Sequence, residues 1–480
     1  MAEVRLTING KDCKAESGMT ILEAARENGI RIPTLCHFEG IEGRANCRMC
    51  VVEVEGMRTS QPACVTKIRE GMVVRTETEK LQAARKATLE LIMAHHAVDC
   101  HHCMRIGSSS EQSLDPKFCE MCFWCDCERD GFCELQTLNR EYHVDVLPYI
   151  QHEADYEKDG SLDSVIRNPN KCIKCRRCVD VCGDVQTVHN LSMANRGRDI
   201  MVVPEMGKPM AESACVRCGH CVDVCPTGAI YMQEHKDEML YFAHSYDTDV
   251  VAQVSANVIP ELAQLFQVEE KEITLGRITT ALHKVGVKTV VSDEHARITS
   301  AKQAAEIIDK KIGGNGPVII TDSSAVMNFV DRYFPEMKDK IDCYDSAQTS
   351  FCKSAEALAG EKPLKLVNIT NVKEAGAEGK ETGNADYVIN ARELYRIFLR
   401  TGGAPHRKSD QSFDKTWADG TIPYAALLGA EGWNLDKDPE EVVITAGGKP
   451  YKCAVAHNLG QVRKLLEGDC KNYDVVRLIA

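Results

Sequence analysis

CIKCRRCVDVC at residues 172–182 and CVRCGHCVDVCP at residues 215–226 decide how this chain is built. Each run spaces its cysteines as C-x2-C-x2-C-x3-C. Eight soft thiolates at a repeated spacing suit two 4Fe–4S clusters. Three closely spaced cysteines wrap one cluster, and the fourth reaches across to the other. The expected ligand sets are Cys172, Cys175, Cys178 with Cys225, and Cys215, Cys218, Cys221 with Cys182. Structural zinc takes one C-x-x-C pair from each of two places, so two fourfold runs speak against it. Lys171, Lys174, Arg176 and Arg177 crowd the first run. They read either as a solvated face or as a docking patch for an acidic carrier such as ferredoxin.

Outward from this cassette, a length of 480 residues calls for several domains. The 44% hydrophobic content is enough for ordinary globular cores. A net charge of −13 argues against nucleic acid or an anionic membrane as the main partner. No apolar run approaches a membrane span, and MAEVRLTING lacks the basic-then-apolar layout of a secretory signal. A soluble cytoplasmic protein is expected. There, 24 cysteines imply metal rather than disulfides. Cys13, Cys343, Cys352, Cys453 and Cys470 are scattered and read as buried or free thiols.

Residues 1–78 form the first expected domain. VRLTI, the turn Asn9-Gly10 and KDCKA read as a hairpin, because Asn-Gly supplies the positive φ angles of a tight turn. Thr20-x-x-Glu23 is a capping box opening a helix that Gly29 stops. VVEVEG and MVVRTET add strands. Cys36, Cys47, Cys50 and Cys64 are spaced C-x10-C-x2-C-x13-C. That pattern resembles the β-grasp 2Fe–2S domain of the large iron–sulfur subunit of respiratory complex I. The resemblance implies one 2Fe–2S cluster on these four thiolates.

Residues 79–150 begin with a helix, EKLQAARKATLELIMAHH, whose inward stripe is read as Leu81, Ala84, Thr88, Leu91 and His95. It delivers His96-x3-Cys100-x2-Cys103, and Cys133-Glu-Leu-Gln follows. This resembles the segment by which complex I large subunits and iron-only hydrogenases hold a 4Fe–4S cluster on one histidine and three cysteines. Here His96, Cys100, Cys103 and Cys133 would be those ligands. An insertion adds Cys119, Cys122, Cys125 and Cys127. Eight ligands serve two cubes, so an extra 4Fe–4S cluster is expected. A swap of Cys127 or Cys133 between the two remains open, and so does a zinc knuckle on the insertion.

Residues 151–240 hold the two-cluster cassette, a pseudo-twofold ferredoxin unit with a short helix and strand after each run, at VHNL and at GAIYM. Pro226 follows the second run as in bacterial ferredoxins, whereas Gly183 stands in that place after the first.

Residues 241–480 change to ordinary α/β composition. KTVVSD, PVIITD, LKLVNIT and DYVIN read as strands, alternating with helical segments such as SAKQAAEIIDKK and ARELYRIFLRTGG. A parallel sheet flanked by helices is expected. The order of segments resembles the catalytic domain of iron-only hydrogenases. In that family T-S-C-C-P, M-P-C and C-P-G-G-C segments hold the hydrogen-converting cluster. The first reads Thr321-Asp322-Ser323-Ser324-Ala325 here, and serine cannot replace a soft thiolate on iron. The second aligns with Asn368-Ile369-Thr370-Asn371-Val372, and the sequence stops at VVRLIA where the third would enter. The domain is therefore read as hydrogenase-like without its cluster ligands. Gly313-Gly314-Asn315-Gly316 precedes a strand instead of following one, so no dinucleotide loop is read.

The fold class is thus α+β multidomain: a β-grasp 2Fe–2S domain, a His/Cys cluster domain, a two-cluster ferredoxin domain and a degenerate hydrogenase-like α/β domain. The expected cofactors are one 2Fe–2S and four 4Fe–4S clusters. The chain resembles the large subunit of complex I and the α subunit of NADH-linked, electron-bifurcating iron-only hydrogenases. That resemblance implies a hetero-oligomer with a flavoprotein carrying FMN and the NAD(H) site. It also implies a small thioredoxin-like 2Fe–2S subunit and ferredoxin. A separate terminal redox module would be a nickel–iron hydrogenase, a formate dehydrogenase or an NADP-binding flavoprotein. The function read is electron transfer within an oxidoreductase, with no substrate-converting site in this chain. The rival reading is an assembly scaffold or redox sensor.

Overall fold

The computed structural model describes residues 2–96, 133–144, 156–355, 362–377, 385–414 and 420–480, with Cys127, Arg129 and Tyr149. Strand β1 (Glu3–Ile8) and β2 (Lys11–Glu16) pair antiparallel around Asn9 and Gly10, whose φ values are 54° and 79°. β1 also runs parallel to β5 (Met72–Arg75). With β3 (Val51–Val54) and β4 (Gln61–Pro62), the sheet order is β2-β1-β5-β3-β4. Helix Ile21–Glu27 lies on this sheet. Its capping box forms as read: Glu23 N–H donates to Thr20 Oγ1 at 3.2 Å, and Thr20 N–H to a Glu23 carboxylate oxygen at 2.6 Å.

The next helix spans Glu79–Met93, but its inner face differs from the expected stripe. Leu81, Arg85, Leu89 and Met93 are buried, while Leu91 is exposed. The reason is Arg85, a fully buried side chain that a polarity pattern assigns to solvent. Its guanidinium donates to the carbonyls of Met49, Val51 and Thr76 at 3.1, 2.9 and 2.9 Å, and to Glu77 at 3.2 Å. Every donor direction finds an acceptor, which is the condition for burying this charge.

In the cassette, β6 (Val165–Arg167) pairs with β9 (Ile230–Met232), and β7 (Ser192–Ala194) with β8 (Met201–Val203). GAIYM supplies β9 as expected. VHNL forms no strand, because Thr187 and His189 take φ of 54° and 56° and the chain turns there. The strand starts one residue after it, at Ser192.

The C-terminal half carries two sheets where one was expected. β10 (Asp249–Val254), β11 (Thr289–Ser292), β14 (Leu364–Ile369) and β15 (Tyr387–Ile389) form an all-parallel sheet in the order β11-β10-β14-β15. β12 (Val318–Thr321), β13 (Ile341–Cys343), β16 (Glu440–Ala446), β17 (Lys449–Ala456) and β18 (Val475–Leu478) form the other. Its order is β13-β12-β18-β17-β16, parallel except for the β16–β17 hairpin. Both sheets bury apolar strands between helices, as parallel sheets require. The second also receives the cassette: Val188 and Val216 pack with Phe329, Leu459 and Val462. Leu459 N–H donates to Gln186 at 2.9 Å, and Tyr333 OH to the Val188 carbonyl at 2.8 Å.

Helix Ala391–Thr401 opens on a second capping box, Asn390 with Glu393. Glu393 is buried, and its carboxylate accepts from His235 N–H at 2.5 Å and Asn390 N–H at 3.2 Å. Burial outweighs those bonds and pushes its pKa from 4.5 up to about 8. In the unfolded chain the group ionises near its ordinary value, so the folded state binds the extra proton between the two. Stability should then fall as pH rises from about 4.5 to about 8. Glu393→Gln removes the titrating proton, keeps one of the two acceptor contacts through its single amide oxygen, and should flatten that slope, measured as thermal midpoint against pH. An unchanged slope would contradict the assignment.

Candidate metal centres

Three groups of thiols are held by loops with a shared backbone device. In the N-terminal domain, Cys36, Cys50 and Cys64 are buried, with Cys47 partly so. Cys47 N–H points at Cys36 Sγ at 3.4 Å, and Cys50 Sγ lies 3.4 Å from Cys64 Sγ. The loop reaches this shape through Ala45 and Arg48, with φ of 50° and 61°. It also needs Gly43, where a Cβ would stand 2.4 Å from the Cys64 carbonyl oxygen. Hydrogen bonding from Cys47 draws the Cys36 pKa down to about 6, and Cys50 lowers Cys64 in the same way. Their donors Cys47 and Cys50 are pushed up.

In the cassette, Cys172, Cys175 and Cys178 from the first run share one cavity wall with Cys225 from the second, among Ile173, Ile230 and Val202. Cys182 is not on that wall. It lies within electrostatic reach of Cys215, Cys218 and Cys221. The structure therefore brings the eight thiols together in the two crossed sets read from the spacing. Both runs use one fold: Lys174 and Arg176 have φ of 57° and 74°, and Arg217 and Gly219 have 66° and 79°. These left-handed residues turn amides toward sulfur, with Lys174 N–H 3.4 Å from Cys172 Sγ and Arg217 N–H 3.4 Å from Cys215 Sγ. The symmetry breaks where the C-terminal half packs. A Cβ at Gly219 would meet Lys373 at 2.5 Å, so the left-handed position holds glycine there and arginine in the first run. Gly183 replaces the expected proline because His189 presses on it, 3.0 Å from where a Cβ would be.

Burial raises the thiols of Cys172 and Cys215 to about 11, and lifts Cys175, Cys178, Cys182, Cys218 and Cys221 as well. Seven thiols lifted in this way need a positive metal centre to hold them as thiolates. Among the described residues, no three His, Cys, Asp or Glu side chains converge on one point as ligands of a single ion would. Cluster thiolates stand instead on separate irons of a larger core, so the all-sulfur sets and their sulfur-directed amides fit iron–sulfur clusters.

Cys133 is buried and lies near Cys127, and burial pushes it up to about 12. Glu134 N–H donates to the Pro226 carbonyl at 3.0 Å, and the Arg129 guanidinium donates to the Cys225 carbonyl. This module is therefore tied to the cassette at the crossing cysteine. His96 is buried at the end of its helix. Cys100, Cys103, Cys119, Cys122 and Cys125 lie outside the described residues, and with them the partition of the two expected clusters.

Half of the basic patch read around the first run is inside the protein, while Lys174 and Arg176 stay partly exposed. Lys171 and Arg177 are buried. Arg177 grips Glu134 in a bidentate pair at 2.6 and 2.7 Å, sits 5.8 Å over the Phe38 ring, and is close enough to Cys36 and Cys175 to feel both. Arg177 is the joint of the three cysteine modules, and its guanidinium is not offered to a carrier. Sequence pattern missed this because the partners lie 43 and 139 positions away.

The segment Thr321-Asp322-Ser323-Ser324-Ala325 in the C-terminal half is closed by a carboxylate. Ser323 Oγ and Ser324 Oγ both donate to Glu374 Oε1, at 2.8 and 3.1 Å, and Ala325 N–H adds a third bond at 2.6 Å. Ser323 also caps helix Ser324–Tyr333 by accepting from Val326 N–H at 3.0 Å.

Three families match the chain. The 2Fe–2S iron–sulfur cluster binding domain covers residues 1–79, the 4Fe–4S dicluster domain 171–229, and the C-terminal domain of the iron-only hydrogenase large subunit 248–478. Together with the thiol geometry they define an iron–sulfur protein with a hydrogenase-like body. The NADP-reducing hydrogenase subunit HndD of Solidesulfovibrio fructosivorans is 31% identical over 97% of this chain and 84% of its own length. Iron hydrogenase 1 of Clostridium pasteurianum is 25% identical over 85% of this chain and 69% of its own. The mitochondrial 78 kDa subunit of NADH-ubiquinone oxidoreductase from Neurospora crassa is 30% identical over 42% of this chain and 24% of its own length. The chain belongs to the family of large iron–sulfur subunits of hydrogenase and complex I type. Among the described residues, no helix is long and apolar enough to cross a membrane.

Proposed function

We propose that this chain is the iron–sulfur electron-transfer subunit of a multi-subunit, NAD(P)H-linked oxidoreductase, and that it converts no hydrogen itself. The observation that carries the second half is Glu374: three donors around Ser323 and Ser324 are spent on its carboxylate, where the resemblance places thiolates. In this reading electrons enter from a flavoprotein with FMN and the NAD(H) site. They leave to ferredoxin or to a separate module, namely a nickel–iron hydrogenase, a formate dehydrogenase or an NADP-binding flavoprotein, as an electron-bifurcating complex requires. The complement proposed is one 2Fe–2S and four 4Fe–4S clusters.

When bound, such clusters supply one-electron steps. The chain's own residues enclose the thiolates, aim amides at them, and tie the modules together at their joint. Arg177 with Glu134 locks three ligand loops into one body, so distances between centres stay fixed. Buried Arg85 fastens the backbone on either side of Cys50.

The purified complex, given NADH or NADPH, should bleach in the visible on the timescale of turnover. The isolated chain with a strong reductant should release no hydrogen. Failure to bleach would favour a scaffold or sensor, and hydrogen release would restore a catalytic centre.

A further inference from the structure

A cavity of about 590 Å³ opens between the two C-terminal sheets and the cassette, with Cys218, Gln253, Glu374 and Trp433 on its wall. Its lining holds six carboxylates against three basic side chains. Arg297 meets Glu431 at 2.5 Å and also serves Asp293. Lys373 is drawn to Asp223, 3.6 Å away. Arg477 faces Asp322, and Glu261 is paired from outside the lining with Arg392 at 2.8 Å. Six carboxylates then meet four basic side chains, so the balance inside is still negative, although burial draws Asp293 and Glu431 toward the neutral form.

A second feature points to what this surplus meets. Gln348, Asn368 and Gln253 form a buried chain of amides along one wall. Gln348 Nε2 donates to the Ala375 carbonyl at 3.1 Å, and a carbonyl can only accept. Gln348 must therefore offer its oxygen to Asn368 Nδ2, at 2.6 Å, and Asn368 its oxygen to Gln253 Nε2, at 3.3 Å. The direction of the chain is fixed from its far end. Gln253 Oε1 is left as an acceptor without a partner on a residue only 3% exposed. Nearby, the His220 ring lies 4.3 Å from that of Trp433, tilted by 36°, Nδ1 toward Asp223, with Nε2 also unpartnered.

We infer that this cavity is a binding site for a small organic cation rich in N–H donors, of the amine or guanidine class, held by the carboxylate surplus and by Gln253 Oε1. A metal ion is disfavoured, because among the described residues no three ligating side chains converge on one point. An anion would meet the surplus carboxylates with too few free cations. The inference rests on the reading that this cavity holds no hydrogen-converting cluster.

The test is calorimetric titration of the cluster-loaded chain with agmatine, which carries a guanidinium and an amine, and with succinate as the anionic control. Agmatine should bind saturably and succinate should not. Gln253→Leu, similar in size but without the acceptor, should weaken agmatine about tenfold or more. Glu431→Gln, at the more open rim, should weaken it too, and serves where the first variant does not load its clusters. No saturable heat with agmatine up to about 1 mM, equal affinity in both variants, or tighter succinate binding would overturn the inference. Hydrogen evolution by the same sample would instead overturn the reading it rests on, so the two failures are separable.

Discussion

Cys225→Ser is expected to strip the iron from the first cysteine run while leaving the second run loaded. The geometry behind this is the shared wall of Cys172, Cys175, Cys178 and Cys225. Serine oxygen is a poor ligand for these irons, so loss of the fourth ligand should cost the whole cluster, about four irons per chain. Pairwise combinations decide which cluster that is. Cys225→Ser with Cys172→Ser should lose no more iron than either alone. Cys225→Ser with Cys215→Ser should lose about eight. Cys182→Ser gives the mirror result, additive with Cys172→Ser and not with Cys215→Ser. If each run served its own cluster, the two patterns would be exchanged. Iron analysis with EPR of the reduced chain reads both.

The second large effect falls on the pair Arg177–Glu134, and it is unequal between the partners. Glu134→Ala leaves a guanidinium whose side chain is 4% exposed without its counter-charge. Breaking a fully buried pair costs roughly 3–5 kcal/mol. Glu134 is 44% exposed, so water already screens part of the attraction, and about 2–3 kcal/mol is expected. Arg177→Met leaves only a carboxylate that can turn to solvent, and should cost about 1 kcal/mol or less. The double variant should resemble Arg177→Met, since the stranded charge is gone. The denaturant midpoint for loss of cluster absorbance ranks the three. Arg177→Met should also lower the reduction potentials of the two centres it faces, because a nearby cation favours the reduced, more negative state. Equal costs for both single variants, with unchanged potentials, would remove Arg177 from its place at the joint.

Much of this could be read from local chemistry. The capping-box signal Thr20 with Glu23 is a four-residue pattern with a single geometric meaning, and the same kind of box at Asn390 and Glu393 was not read. The crossed sets were read from the cysteine spacing, and the structure places Cys225 beside the first run, on one wall with Cys172, Cys175 and Cys178. Four strands of the C-terminal half, β11, β12, β14 and β15, stood out as apolar runs, and their division into two sheets did not. Register between strands as distant as β10 and β14 is set by packing and not by either segment's pattern. Two of the buried arginines, Arg85 and Arg177, escaped the sequence reading for one reason. Polarity predicts exposure only when a side chain lacks partners, and those of Arg85 and Arg177 come from remote loops. The amide chain ending at Gln253 was invisible likewise, since its members stand 20 and 115 positions apart.

Arg85 has a consequence for how the chain can be divided. Its helix lies beyond the first 78 residues, yet its guanidinium closes the carbonyls of Met49, Val51 and Thr76 within them. A fragment cut at the family boundary near residue 79 would expose those oxygens and free the strand that follows Cys50. The stable excisable piece is longer than the homologous unit, and the N-terminal redox fold borrows its last wall from its neighbour.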